Sequence, residues 1–179
     1  MLDLSRISLR HVQDIEDESL NYFTCGRSQL DSFLSSDAKD YDKHGLTSTV
    51  VVFSVDEVYP VAYFSLTADA VRLSGSEKND LCLPFDVPIS FYPAVKITKL
   101  AVASNYQRQG VGEQLIDLIF GIVSDTPFAV RLLTVDAVNQ PEIISFYQKV
   151  GFVESLADAK EKKHQNRKET VLMFRDIYG

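Results

Sequence analysis

TKLAVASNYQRQGVGEQLIDLIFGIV, residues 98–123, is the stretch on which the reading of this chain turns. It divides into a strand (Thr98 to Ala103), a short polar turn and a long helix opening near Gly110. At the junction stands Gln107-Arg108-Gln109-Gly110-Val111-Gly112, a Q-x-x-G-x-G pattern. Glycine lets the backbone approach a ligand closely or take dihedrals that a Cβ forbids. The helix that follows brings to its first turn several N–H groups with no intrahelical acceptor, and its macrodipole adds roughly half a positive charge there. Such a terminus suits a phosphate. Two other glycine motifs are excluded by counting. A dinucleotide fingerprint needs a third glycine where Leu115 stands, and no Gly-Lys-Ser/Thr of a Walker loop occurs anywhere.

Outward from that stretch, the 179 residues fit one domain with a real core. Apolar residues at 45% and charged ones at 24% are ordinary for a soluble globular protein. No apolar run approaches the ~20 residues that span a bilayer, and MLDLSRISLRHV lacks the apolar core of a signal peptide. No membrane is expected as a partner. Cys25 and Cys82 are too few for a disulfide framework, so a reducing cytoplasm is the expected compartment. His11, His44 and His164 lie far apart, which gives no support to a metal site. The net charge of −7 is uneven: residues 1 to 90 hold 7 basic and 15 acidic side chains, whereas 91 to 179 hold 11 and 10. An acidic half favours cationic partners, such as an amine, over polyanions.

Alternation predicts a strand over Arg6 to Val12. Leu30, Phe33, Leu34, Ala38 and Tyr41 recur at three and four, one face of a helix that Gly45 would end. Thr47 to Val55 and Val58 to Thr67 read as a β-hairpin, with Pro60 at an edge or bulge. Ser74 to Ser90 contains Gly75, Pro84 and Pro88 and reads as a loop. In the helix from Gly110 to Val123, Val111, Leu115, Leu118, Ile119 and Ile122 form the expected buried side. Ala129 to Val135 is β-rich, and Asn139-Gln140-Pro141 opens a helix that runs to Gly151. Val171 to Ile177 is the last strand. The order β-α-β-β-loop-β-α-β-α-β predicts a single α/β (α+β) layered domain over 1–179.

The Q-x-x-G-x-G after L-A-V resembles the pyrophosphate-binding motif of the GNAT superfamily of acetyl-CoA-dependent N-acetyltransferases. A second resemblance is Asn139 followed by a helix ending Phe146-Tyr147-Gln148-Lys149-Val150-Gly151-Phe152, similar to the superfamily's F-Y-x-x-x-G-F. The likeness in element order covers nearly the entire chain. It implies a mixed central sheet flanked by helices, with the strands holding Leu100 and Val135 splayed to admit the pantetheine arm. It also implies acetyl-CoA as cosubstrate, with no metal. The N–H groups of Gln109, Gly110, Val111 and Gly112, with the side chains of Gln107 and Arg108, would hold the pyrophosphate. Backbone N–H groups of Leu100, Ala101 and Val102 would meet the oxyanion. Asn139 would bind CoA or cap the next helix. Tyr147 would protonate the departing thiolate, its phenol being neutral at ordinary pH; its spacing from Ile143 and Val150 suits a core aromatic equally.

A general base is missing from the central strand, which reads Lys96-Ile97-Thr98-Lys99. Asp136 stands as a weaker substrate candidate that would orient the acceptor or make a backbone hydrogen bond. Both cysteines lie outside these motifs, which disfavours a covalent acetyl-enzyme. Phe23-x-Cys25-Gly26-x-x-x-Leu30-Asp31-x-Phe33-Leu34 is similar to the N-terminal signature of the superfamily's tRNA-acetylating toxin branch, whose members have small antitoxin partners. The acidic composition departs from a tRNA binder. The basic residues Lys160, Lys162, Lys163, His164, Arg167 and Lys168, in an extended segment from Ala157 to Glu169, are either a solvated hairpin tip or the one place for a polyanion. Three readings follow: direct acetylation of a primary amine on a small molecule or peptide, acetylation of aminoacyl-tRNA, and a non-catalytic CoA-binding interaction module. The first is preferred, and a homodimer is the default assembly.

Overall fold

From the N-terminus the chain runs β1 (Ile7–His11), α1 (Asp17–Asn21), α2 (Ser28–Ser32), α3 (Ala38–Lys43), β2 (Ser48–Ser54) and β3 (Ala62–Val71). It continues through α4 (Gly75–Asp80), β4 (Tyr92–Val102), α5 (Val111–Ser124), β5 (Leu132–Val138), α6 (Pro141–Lys149), β6 (Val153–Glu154), α7 (Leu156–Glu161) and β7 (Thr170–Asp176). The computed structural model describes residues 6–55, 57–161 and 169–179. One mixed sheet of seven strands has the order β1-β2-β3-β4-β5-β7-β6. The chain divides into two compact units, one built from residues up to Thr67 with Ile97–Leu118, the other from Ala68–Lys96 with Ile119–Gly179. Strands β3 and β4 contribute to both.

In the first unit β2 pairs antiparallel with β1 (Ile7↔Ser54 to His11↔Val50) and with β3 (Ser48↔Leu66 to Val52↔Ala62). The β-branched run Val50-Val51-Val52 suits a central strand, where branched side chains pack on the pleat. Val51, Phe53, Tyr63 and Ala101 form one wall of a core. Leu20, Phe33, Leu34 and Ala38 from the helical segments and Phe23 from the loop after α1 cover it. Each large apolar side chain so buried contributes about 1.5–3 kcal/mol. The Tyr63 hydroxyl donates to the Leu30 carbonyl at 2.8 Å, so its polar end is satisfied inside.

The predicted helix over 30–41 is two helices joined by a π-turn. α2 passes through Phe33–Asp37, where the Ala38 N–H reaches back to the Phe33 carbonyl, into α3. The Ser35 hydroxyl bonds the carbonyls of Asp31 and Ser32, a side-chain competition that widens a helix locally. In the hairpin the second strand begins later than predicted, at Ala62, after the buried Pro60.

In the second unit β7 pairs antiparallel with β5 (Leu132↔Asp176 to Val138↔Thr170) and with the two-residue β6. Val71, Leu73, Leu81, Tyr92, Ala94, Leu132 and Phe174 make its core. The stretch 74–90, expected to be a loop, opens with α4. Ser74 Oγ accepts the Glu77 N–H, and the Glu77 carboxylate accepts the Ser74 N–H at 2.6 Å, a full capping box. The same buried carboxylate accepts the Leu156 N–H at 2.7 Å, which satisfies the start of α7 as well. The segment expected to be extended from Ala157 is therefore helical to Glu161; Lys162, Lys163, His164, Arg167 and Lys168 lie outside the described residues.

Helix α5 has Val111, Leu115, Ile116, Ile119 and Val123 buried. Ile116 and Val123 replace two members of the predicted face: Leu118 is half-buried and Ile122 is 37% exposed.

Candidate active site

The predicted site residues fall into two groups, one in each unit. The first group lies on β4 and the turn into α5. Here Ala101 is buried, while Leu100 and Val102 are half-buried. The Ala103 N–H bonds the Val61 carbonyl at 2.9 Å and ends the strand. Past a short 3₁₀ turn over Ser104–Tyr106, Arg108 takes φ 58° and Gly110 takes φ 81°. Alternating a left-handed residue into such a turn bends successive N–H groups toward one concave side, the arrangement that receives anions. A Cβ at position 110 would be strained in that conformation. Helix α5 then begins at Val111, with its first bond from the Gln114 N–H to the Gly110 carbonyl at 3.1 Å. The N–H groups ahead of that bond have no intrahelical acceptor.

Gln107 is used differently from expectation. Its Nε2 donates to the Cys25 carbonyl at 2.8 Å and to the Val102 carbonyl at 2.9 Å. Both amide hydrogens are engaged, so the side chain braces the turn and offers an incoming phosphate only an acceptor oxygen. Gln109 Nε2 likewise donates within the turn, to the Asn105 carbonyl at 2.8 Å. Arg108 is exposed, with its guanidinium on the surface.

The N-terminal signature sits beneath this turn. Asp31 Oδ1 accepts the Cys25 N–H at 2.8 Å and Oδ2 accepts the Thr24 hydroxyl at 3.1 Å. Burial opposes the charge of Asp31, but hydrogen bonds from Cys25 and Thr24 outweigh it and hold the carboxyl below its usual range. Burial, reinforced by Asp31, pushes the Cys25 thiol up to about 11, which makes it a poor nucleophile. Phe23 meets Tyr63 edge-on at 5.3 Å, and Phe33 stacks on Tyr63 at 6.3 Å.

The second group contains Asp136, Asn139 and Tyr147. α6 starts with Pro141 at its first position, and the N-cap is Gln140, not Asn139; the Asn139 N–H bonds the Glu169 carbonyl at 2.9 Å. The helix ends in a Schellman motif. The Phe152 N–H bonds the Tyr147 carbonyl and the Gly151 N–H bonds the Gln148 carbonyl, both at 3.0 Å, with Gly151 at φ 87°. The hydrophobic contact that accompanies this motif is Tyr147 against Phe152, edge-on at 5.4 Å, with Phe146 on the other side at 5.1 Å. The F-Y-x-x-x-G-F pattern is thus a helix stop that fixes the tyrosine. Tyr147 is 7% exposed, and burial pushes its phenol up to about 12, so it holds its proton at any ordinary pH. Its hydroxyl meets no hydrogen-bond partner among the described residues.

Asp136 belongs to a cluster invisible to sequence spacing. The Lys96 ammonium lies 3.1 Å from Asp136 and 3.5 Å from Asp69, and Asp69 accepts the Thr134 hydroxyl at 2.7 Å. Burial works against the Lys96 charge, yet the two carboxylates prevail and raise its pKa. These residues line a pocket of about 360 Å³, with Asp158 and Leu172 and with Phe91, over which the Arg72 guanidinium lies at 5.1 Å. The signal in the sequence was charge within the strands: Asp69 in β3 and Lys96 in β4. Among the described residues no group of His, Cys, Asp and Glu is arranged to hold a metal, and no helix is long and apolar enough to cross a membrane.

The architecture is that of the GNAT fold. Residues 79–154 match the family described as acetyltransferase (GNAT) domain. No curated protein sequence matches the chain. Among solved structures, a tyrosine-to-phenylalanine mutant of KacT is similar over 97% of this chain and 96% of its own, with 18% identity and TM-score 0.74. AtaT complexed with acetyl-methionyl-tRNAfMet is similar over 96% and 95%, with 18% identity and TM-score 0.75. AtaTR bound with AcCoA is similar over 98% and 96%, with 17% identity and TM-score 0.73.

Proposed function

We propose that the protein transfers the acetyl group of acetyl-CoA directly to a primary amine, with Tyr147 as general acid. In this reading the turn from Gln107 to Gly112 receives the pyrophosphate on backbone N–H groups and the opening of α5. Backbone N–H groups of Leu100 to Val102 stabilise the oxyanion that forms when the neutral amine attacks the thioester carbonyl. As the carbon–sulfur bond breaks, Tyr147 gives its proton to the thiolate. The nitrogen releases its extra proton to solvent, because the Asp136 carboxylate is already engaged by the Lys96 ammonium. The observation that carries the reading is Tyr147 itself, a phenol held neutral by burial and fixed by a helix stop in a GNAT domain.

For the acceptor, three carboxylates in the pocket with Lys96 and Arg72 favour an amine on a small molecule or peptide. Asp136 would orient it. A second reading, the amino group of aminoacyl-tRNA, is supported by the likeness to AtaT complexed with acetyl-methionyl-tRNAfMet. With it would come a small protein partner, as in the AtaT mutant bound to the C-terminus of the antitoxin AtaR and acetyl-CoA.

Labelled acetyl-CoA offered to polyamines, amino acids, peptides and charged tRNA decides between them. Label on a free amine supports the first reading. Label on aminoacyl-tRNA, lost in a Lys162→Glu, Lys163→Glu variant, replaces it with the second. Tyr147→Phe should keep acetyl-CoA affinity while turnover falls about 10²- to 10⁴-fold. Wild-type turnover with chemistry rate-limiting returns Tyr147 to a packing role, and CoA binding without transfer to any amine leaves a binding module.

A further inference from the structure

The residues of the N-terminal signature end at the phosphate turn. The Thr24 carbonyl accepts the Ser104 N–H at 2.9 Å and the Ser104 hydroxyl at 3.2 Å. The next carbonyl, Cys25, accepts the Gln107 amide at 2.8 Å. Two adjacent carbonyls therefore dock the segment Thr24-Cys25 onto both ends of the 104–107 turn. What orients those carbonyls is Asp31, which takes the Cys25 N–H on one oxygen and the Thr24 hydroxyl on the other. Asp31 is in turn placed by α2, whose continuation into the π-turn packs Phe33 and Leu34 on the first core.

We propose that Asp31 is a positioning residue for the cosubstrate, acting through Thr24, Cys25 and Gln107 on the turn that receives the pyrophosphate, and that the signature Phe23-x-Cys25-Gly26-x-x-x-Leu30-Asp31 serves donor binding and not acceptor choice. This rests on the reading of Gln107 to Gly112 as the pyrophosphate turn. The chemistry requires such a brace. A turn that holds the non-glycine Arg108 in the left-handed region is strained there and needs outside contacts to persist. N–H groups serve an anion only if they are already aimed at it. A carboxylate suits the brace because it accepts from two donors at once, and its charge-assisted bonds are roughly twice as strong as neutral ones.

The test compares two acetyl donors on the full chain: acetyl-CoA, and S-acetylpantetheine, which has the same thioester and no pyrophosphate. Asp31→Ala should raise the acetyl-CoA KM on the order of tenfold, the lower end of what orienting hydrogen bonds are worth at charged sites. It should leave kcat at saturation, the acceptor KM and all S-acetylpantetheine kinetics unchanged. Asp31→Asn, which retains an acceptor for the Cys25 N–H, should recover most of the loss. Gln107→Met cuts the brace at its other end and should match Asp31→Ala; it carries the test if the latter does not fold. Equal losses with both donors, or an unchanged acetyl-CoA KM, overturn the proposal. A changed preference among acceptors overturns the second half of it. If the wild-type enzyme itself makes no distinction between the donors, the pyrophosphate reading fails first.

Discussion

Gly151→Ala tests the link between the end of α6 and catalysis. Gly151 sits at φ 87°, where an L-residue is strained by about 1–2 kcal/mol. A less flexible unfolded chain returns about 0.4–1 kcal/mol of that to alanine. Crowding adds to the strain, since a Cβ would lie 3.3 Å from Arg175 Nε. Arg175 is not free to swing aside at no cost, because it donates to the Val150 carbonyl at 3.1 Å and its guanidinium lies 4.2 Å from the centre of the Phe120 ring. The net loss is about 1–1.5 kcal/mol, or roughly 3–5 °C in melting temperature for a chain of this size. The same change disturbs the bonds that end the helix at Tyr147. Thermal denaturation and steady-state kinetics should therefore show a lower Tm together with a fall in kcat, while the acetyl-CoA KM holds. Gly151→Asn, which tolerates left-handed dihedrals, should recover part of the Tm and retain the Arg175 crowding. An unchanged or higher Tm in Gly151→Ala refutes the strain argument; a lower Tm with wild-type kcat refutes the link to Tyr147.

Two further outcomes follow from the second unit. Burial favours the neutral phenol of Tyr147, so its contribution to stability is complete below the ordinary value of 10.0 and is lost as pH rises through about 12. Turnover should accordingly rise with pH as the acceptor amine loses its proton and show no descending limb up to pH about 10; a descending limb below that which Tyr147→Phe retains belongs to another group and contradicts Tyr147 as the general acid. Lys96→Met leaves Asp69 and Asp136 uncompensated and should cost about 1–2 kcal/mol, less than a fully buried pair would. It should also lower KM for a polyamine relative to a monoamine in a salt-dependent way. Equal KM changes for both amines separate the pocket from acceptor binding.

Both glycine patterns were legible because each encodes a local backbone event: a left-handed turn ahead of α5 and a helix stop after α6. The signs that fix such events lie within a few residues of each other. The capping box at Ser74 and Glu77 was just as local, yet the glycine and prolines around it suggested a loop and hid α4. Lys96 was visible as a lysine on a predicted strand, but its partners Asp69 and Asp136 reach it through sheet pairing, which spacing does not reveal. The brace under the turn ahead of α5 was out of reach for another reason. Its acceptors at Thr24 and Cys25 are main-chain carbonyls, which every residue carries, so only the donors Gln107 and Ser104 left a mark in the sequence.

Glu77 has a consequence for the order in which the chain assembles. Its carboxylate closes the start of α4 over three residues and the start of α7 over 79. The first closure can form as soon as the local chain collapses. The second must wait for a long loop to close, and that loss of chain entropy is recovered only when β5, α6 and β7 are in place. One side chain thus belongs to both an early and a late step of folding. Until the late step completes, it has a single partner helix and an oxygen still facing water.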